Sequence, residues 1–544
     1  MQTTEPKIEK MAFEKSYIQY AELSQISERD KAYEKEDSNL RPFYKYSPKI
    51  ENFSKVIADK KNETTDRALL VKVLTAQYKS FSISAKTQLN IDKLLDEHTF
   101  TVVTAHQPSL FTGPSYFIYK ICSIINLAQN LNTQFDDNYV VPVFVMGGED
   151  HDFEEISTAQ VFGKKLVWEN NQGGSVGKLD NKTLEPVLAE LKDILGDKPV
   201  AAEMYATIHE AFTEYDTYGE GMLYLVNELF KDFGLIVMDM SDKLLKESFV
   251  PYIEKEIFER ESVNLIQETI TEIEAAGFSN QAHPRDINFF YLGDGFRERI
   301  IFEENQYKVN NQNIAFSEQA LREEIKSHPE RFSPNVNMRP IYQEYILPNL
   351  AYVGGGGELA YWMERQSQFK YFDINYPMLI RRNSVLFIDN GSKKKLEKLS
   401  ASLQDLLKED HIMIKQFLSS NSDKEFTLET QKEAIAKTFD EIVDAVSKVD
   451  KSLVATAEAE RTKHIKSIEN LEGRLRKAEK QRFDVGIKQL SGVKEKLFPG
   501  NGLQERKENF LTFYTRYGKL YLEYLVEQLN PFDTGLMVIS EAND

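Results

Sequence analysis

The 544 residues exceed what one hydrophobic core usually organises, so a core with added modules is expected. A formal charge of −19 disfavours a polyanion as the main partner, because nucleic-acid affinity comes largely from Lys and Arg neutralising phosphates. With 41% hydrophobic and 11% aromatic residues the chain reads as globular, and no apolar run approaches the roughly 18 residues that span a bilayer.

The opening MQTTEPKIEK mixes charges where a signal peptide needs an apolar stretch, which places the chain in the cytoplasm. Residues 1 to about 98 carry apolar positions three or four apart, as in TDRALLVKVLTAQY, and read as mostly helical. From residue 99 short β-rich runs alternate with turns and helices: TFTVVTAHQPS, NYVVPVFVMGGED, and later FGLIVMDMSD. Strands alternating with helices predict an α/β fold on a largely parallel sheet. Residues 1–155 then hold the N-terminal helices and the first part of the core. Residues 156–229 form an inserted subdomain, and 230–392 complete the core, with a small insertion of paired strands near 290–325.

The single cysteine, Cys122, excludes an internal disulfide and a multi-Cys zinc site. It lies in IYKICSIINLA at helical spacing with Ile118, Ile121 and Ile125, which reads as a core position, with a catalytic thiol as the alternative.

Residues 393–495 differ in kind. Leu396, Leu399, Leu403 and Leu406 follow three-four-three spacing, as do Ile435, Phe439, Ile442, Val446, Val449 and Leu453. Two long helices broken near SSNSDKEF would make an antiparallel hairpin. Residues 496–544 return to a compact helical pattern ending in the strand-like GLMVIS, and are expected to dock on the core.

Three segments carry chemistry. In the first, TFTVVTAH leads through QPSLFTGPSYFIYK into a helix, whose N-terminus favours anions. Thr112, Gly113 and Ser115 would approach a ligand there, Lys120 would add positive charge, and His106 and Gln107 sit at the strand end. The segment is neither a GxxxxGK[ST] loop nor a GxGxxG fingerprint. In the second, MGGEDHDFEEI, Gly147 and Gly148 precede Asp150, His151 and Asp152. These side chains can hold an ammonium group or accept a proton, and no metal site is expected; the acids would equally cap the following helix. In the third, Gly354, Gly355, Gly356 and Gly357 follow the strand-like AYV and lead through Glu358 into a helix. Arg339, Arg381 and Arg382 would bind phosphate or carboxylate groups, or form structural ion pairs. All three segments are expected on one cleft.

Together AHQPSLFTGPSYFIYK, PVFVMGGEDHDFEEI and SPNVNMRPIYQEYILPNLAYVGGGGELAYW resemble the cysteine-adding enzyme family of bacillithiol biosynthesis, as do FGLIVMDMSD, HPRDINFFYL and LFPGNGLQERKENFL. The resemblance covers nearly the whole chain. Met338 and Glu344 stand where Leu and Asp are familiar, and Gly356 stands for Pro.

The resemblance implies a Rossmann-like core similar to class I aminoacyl-tRNA synthetases and nucleotidylyl transferases, two connecting-peptide insertions, and a coiled coil that makes a homodimer. The HxGH pair of those transferases is replaced by FTGPSY. The implied activity is a carbon–nitrogen ligase that adds cysteine to glucosaminyl-malate. Amide formation from a free carboxylate needs activation, which makes ATP or another nucleotide, accompanied by Mg, the expected cosubstrate. In that scheme Asp150, His151 or Asp152 positions cysteine or deprotonates the sugar amine, and the arginines hold the malate carboxylates. A non-catalytic dimeric scaffold, or an ATP-dependent transferase acting on a different carboxylate, is the alternative.

Overall fold

The computed structural model describes residues 13–421 and 427–542. They divide into two compact units, Lys15–Leu386 with Gly502–Ile539, and a second made chiefly of Phe387–Asn501.

The first unit is built on five parallel strands: β1 (Thr99–His106), β2 (Tyr139–Met146), β3 (Ile236–Asp239), β4 (Asn349–Gly354) and β5 (Met378–Arg381). Their order across the sheet is β5-β4-β1-β2-β3. β1 is buried along almost its whole length, as a central parallel strand covered on both faces should be, and its Thr and Val residues suit that setting. Pro142 lies inside β2 but one residue before its ladder with β3 opens at Val143 and Ile236. This is the Rossmann order, with the reversal of winding between β1 and β4, where α/β sheets open a crevice at the carboxyl ends of the strands.

After β1 comes the helix α1 (Tyr116–Gln134), and Cys122 is fully buried on it, its thiol pushed up by desolvation. The helix α2 (Arg339–Ile346) precedes β4, and α3 (Gly356–Met363) follows it. Between β2 and β3 lie a hairpin, Thr158–Val161 with Lys164–Val167, and three helices within 185–230. Between β3 and β4 a five-stranded antiparallel sheet spans residues 289–334. Residues 502–539 pack on α1. Asn126 Nδ2 donates to Val526 O at 2.9 Å, and the Tyr119 and Tyr521 hydroxyls lie 3.2 Å apart. No described helix is long and apolar enough to cross a membrane.

The second unit corrects the expected hairpin. The Leu396–Leu406 stripe is no continuous helix, because Ser400 adopts φ 49° between Asn390–Lys398 and Leu403–Leu406. The coiled pair is α4 (Glu429–Val449) with α5 (Val454–Arg482). Its turn lies at Asp450, which is extended and accepts the Ser452 N–H at 2.9 Å. The break expected near SSNSDKEF falls largely on 422–426, outside the described residues. Lys432–Glu472 at 3.5 Å and Arg461–Asp440 at 3.1 Å fix the antiparallel register, and Phe439 stacks on His464.

Candidate active site

A cleft of about 430 Å³ opens at the carboxyl ends of β1 to β4. Its chemistry follows from what each strand end delivers.

From β1 the cleft receives His106 and Gln107, and from the start of α1 it receives Tyr116. His106 Nδ1 donates to Gln107 O at 2.9 Å, so Nε2 accepts the Tyr116 hydroxyl at 3.0 Å. Burial, reinforced by the nearby Lys120 charge, lowers His106 to about 4, and the ring is neutral at pH 7.

The turn that follows is a correction to the sequence reading. Phe111, Thr112 and Gly113 all have positive φ, and the Asn509 amide holds the carbonyls of Phe111 and Gly113 at 2.8 and 2.5 Å. A side chain at Gly113 would meet Ser109 Cβ at 2.7 Å. The Ser115 N–H and O–H both donate to Glu508 O, at 2.8 and 2.6 Å. The helix start is therefore closed by a carbonyl rather than offered to an anion. Thr112 is fully buried. Lys120 is buried too, donating to Glu358 Oε1 and Oε2 at 2.8 and 2.9 Å, and does not line the cleft.

Beyond β2, Gly147 lines the cleft and donates to His106 O at 2.8 Å, while Gly148 packs against Gly177. Asp150 faces the cleft. Its Oδ2 accepts Gln107 Nε2 at 2.5 Å, and its Oδ1 accepts the His151 N–H at 2.8 Å and Arg297 Nη1 at 3.3 Å. Burial opposes its charge, but these donors hold the carboxyl far below the usual range. His151 Nδ1 accepts Arg297 Nη1 at 2.9 Å, which uses the ring's acceptor. Asp152 caps the short helix Phe153–Ile156, accepting the Glu155 N–H at 3.1 Å, and is exposed away from the cleft lining.

Beyond β4, Gly355, Gly357 and Glu358 line the cleft. Gly354 sits in the strand and accepts the Arg382 N–H at 2.8 Å, and at Gly356 a Cβ would meet the Asp30 carboxylate at 2.1 Å. At Gly357 a Cβ would meet nothing within 4 Å, so the first turn of α3 borders open space. Glu358 accepts the Gly355 N–H at 2.9 Å and the Tyr352 hydroxyl at 2.5 Å. Burial works against its charge, yet Lys120 and these donors hold it down at about 2.

The arginines separate. Arg339 lines the cleft, held by neutral groups, the Tyr361 hydroxyl and Gln343 Oε1. Arg382 lines it too but is neutralised by Glu505 at 2.8 Å. Arg381 turns away to Tyr20, Ser384 and Asp30, a correction to its expected place. Thus one cavity gathers residues of the second and third segments with Ala105, His106, Gln107 and Tyr116 from the first, and without Thr112, Gly113, Ser115 or Lys120.

Residues 13–383 match the family described as bacillithiol biosynthesis BshC, N-terminal Rossmann-like domain, and 385–541 match its C-terminal coiled-coil domain. The chain belongs to the BshC family. Curated relatives named "Putative cysteine ligase BshC" include that of Christiangramia forsetii, 38% identical over 96% of this chain and 98% of its own. That of Flavobacterium johnsoniae is 38% identical over 96% and 99%, and that of Bacillus cytotoxicus 28% over 91% and 95%. A solved "putative arginyl t-RNA synthetase from Campylobacter jejuni" covers 83% of this chain and 99% of its own at 11% identity, but a TM-score of 0.22 is too low to argue from.

In this BshC chain further charged groups line the cleft, among them Glu149, which pairs with Lys246 at 2.9 Å. Arg297 comes from the strand Phe296–Glu303 of the insertion, and Arg506 from the segment after the coiled coil. Asp239 ends β3 and Glu155 follows Asp152; desolvation raises both carboxyls. Glu155 stood in the quoted acidic run. Arg297 had no local signal beyond its charge, because its role depends on where the insertion folds.

Proposed function

We propose that this BshC-family chain is a carbon–nitrogen ligase that joins the carboxyl group of cysteine to the amine of glucosaminyl-malate, completing bacillithiol, with nucleotide activation of the carboxyl. The observation that carries this reading is a single cleft lined by Asp150, held by Arg297 and Gln107, together with Glu155, Arg339 and Arg506. Asp150 is kept ionised by Arg297 and Gln107, whereas desolvation raises Glu155 nearby. Groups whose surroundings drive their pKa values apart take different parts in proton chemistry. Asp150 is a poor base and a good anchor for an ammonium group. Glu155 is the group suited to take the proton that the sugar amine must lose.

Arg339, without a carboxylate of its own, and Arg506 on the rim suit the malate carboxylates. The open first turn of α3 at Gly357 suits phosphate, since a helix N-terminus favours anions and a Cβ there would meet nothing within 4 Å. A bound nucleotide, with its Mg, supplies the leaving group that a free carboxylate lacks.

The test is a thiol analysis in cells lacking the gene. Loss of bacillithiol with accumulation of glucosaminyl-malate, reversed by the intact gene, is the expected result. Unchanged thiol pools would favour a non-catalytic scaffold.

The arm made by α4 and α5 is read as the dimer contact. Val449 is 86% exposed, and Ile442, Leu453 and Leu471 are exposed with it, an apolar set that one hairpin leaves uncovered. Removing residues 436–468 and closing the gap with a short turn should give a monomer by sedimentation. An unchanged dimer would reject this assignment.

A further inference from the structure

We infer that a second cavity, at the amino ends of β4 and β5, is a binding site for a small organic cation, whose ammonium group pairs with Glu344 between tyrosine walls. This cavity of about 870 Å³ lies at the opposite end of the sheet from the cleft: Glu344 stands at the end of α2 before β4, and Asn375 and Tyr376 stand just before β5.

Glu344 lines it and is 1% exposed. Its Oε1 accepts Gln343 Nε2 at 2.9 Å and Asn349 Nδ2 at 2.8 Å, but Oε2 has no partner. A buried carboxylate oxygen without a donor is costly, and a ligand donor removes that cost. Asn375 Nδ2, also lining the cavity, is unpartnered as well. Burial, opposed by Lys60 and aided by Glu63, raises the Glu344 carboxyl to about 7, so an arriving cation finds it easily ionised at neutral pH.

The charge of the lining selects the ligand. Lys45 is paired with Asp59 at 3.1 Å, and Glu63 with Lys60 at 2.5 Å. That leaves the acids Glu344, Glu272 and Asp373 against the single base Lys370. The walls are aromatic: Tyr252 and Tyr345 have ring centroids 4.8 Å apart, with Phe43 and Tyr376 beside them. Acidic groups among aromatic faces suit an amine carried on a ring or short hydrocarbon.

Titration calorimetry on the full-length protein with three matched probes tests this: cyclohexylammonium, cyclohexanol and cyclohexanecarboxylate. The ammonium should bind at least tenfold more tightly than the other two. Glu344→Gln, which keeps both Oε1 contacts, should weaken it tenfold or more and leave cyclohexanol unchanged. Equal binding of the three, binding of none, or no effect of Glu344→Gln would overturn the inference. So would loss of ammonium binding in Asp150→Asn with retention in Glu344→Gln, since the probe would then occupy the cleft. Should Glu344→Gln fail to fold, Glu272→Lys on the exposed rim decides: a several-fold weakening supports the site, and no change rejects it.

Discussion

Asp150→Asn should lower kcat/KM for cysteine ligation by on the order of 10²–10³, equivalent to about 3–4 kcal/mol in the barrier. The substitution keeps the shape but removes the charge on which Gln107, the His151 N–H and Arg297 converge. It takes away the proposed ammonium anchor and leaves Arg297 without its carboxylate. His151→Ala should cost much less, within about tenfold, because the ring's acceptor already serves Arg297 and the general-base contribution of ~10²–10⁴ belongs to another group. Glu155→Gln should remove the acid limb of the pH–rate profile, since a base with a raised pKa must lose its proton before it can act. Steady-state kinetics on the three variants separates these roles. A loss in His151→Ala as deep as in Asp150→Asn would make the histidine the base and refute the assignment.

The second large effect concerns stability. Glu358→Gln should destabilise the protein by about 3–5 kcal/mol, because Lys120 is left as a buried charge without its partner. Lys120→Met with Glu358→Gln should recover most of that loss, since removing both charges removes the desolvation cost with the attraction. Urea denaturation of the single and double variants measures the coupling. If the double variant is no more stable than Glu358→Gln alone, Lys120 draws its stability from elsewhere.

This pair also marks the limit of what the sequence discloses. Lys120 in the first turns of a helix after a glycine turn has the look of a phosphate ligand, and nothing near it points to Glu358, 238 positions away. The strands themselves were legible, because TFTVVTAH and YVVPVFVM are runs rich in the β-branched and aromatic residues that suit a buried sheet. Their order was not, since periodicity carries no record of which strand lies beside which. The acidic run after β2 was readable as a cluster at a strand end, but which of its acids face the cleft was not. Asp152 became a cap and Asp150 a fixed anion only through Gln107 and Arg297. In the arm, heptad spacing found α4, yet the Leu396 stripe obeyed the same spacing and is broken at Ser400 by one backbone angle.

The route of the chain has a consequence for biosynthesis. Arg382 emerges from the ribosome long before Glu505, which neutralises it, and before Arg506 on the cleft rim, because the whole arm is made in between. At 5–20 residues per second the interval is about 6–24 s. Through that time Arg382 lacks the carboxylate that neutralises it and the cleft lacks Arg506. Asn509, which holds the turn at Phe111 and Gly113, arrives later still. A chain cut short anywhere in the arm lacks Glu505, Arg506 and Asn509, and with them the partner of Arg382, part of the cleft lining and the clamp on the turn at Gly113.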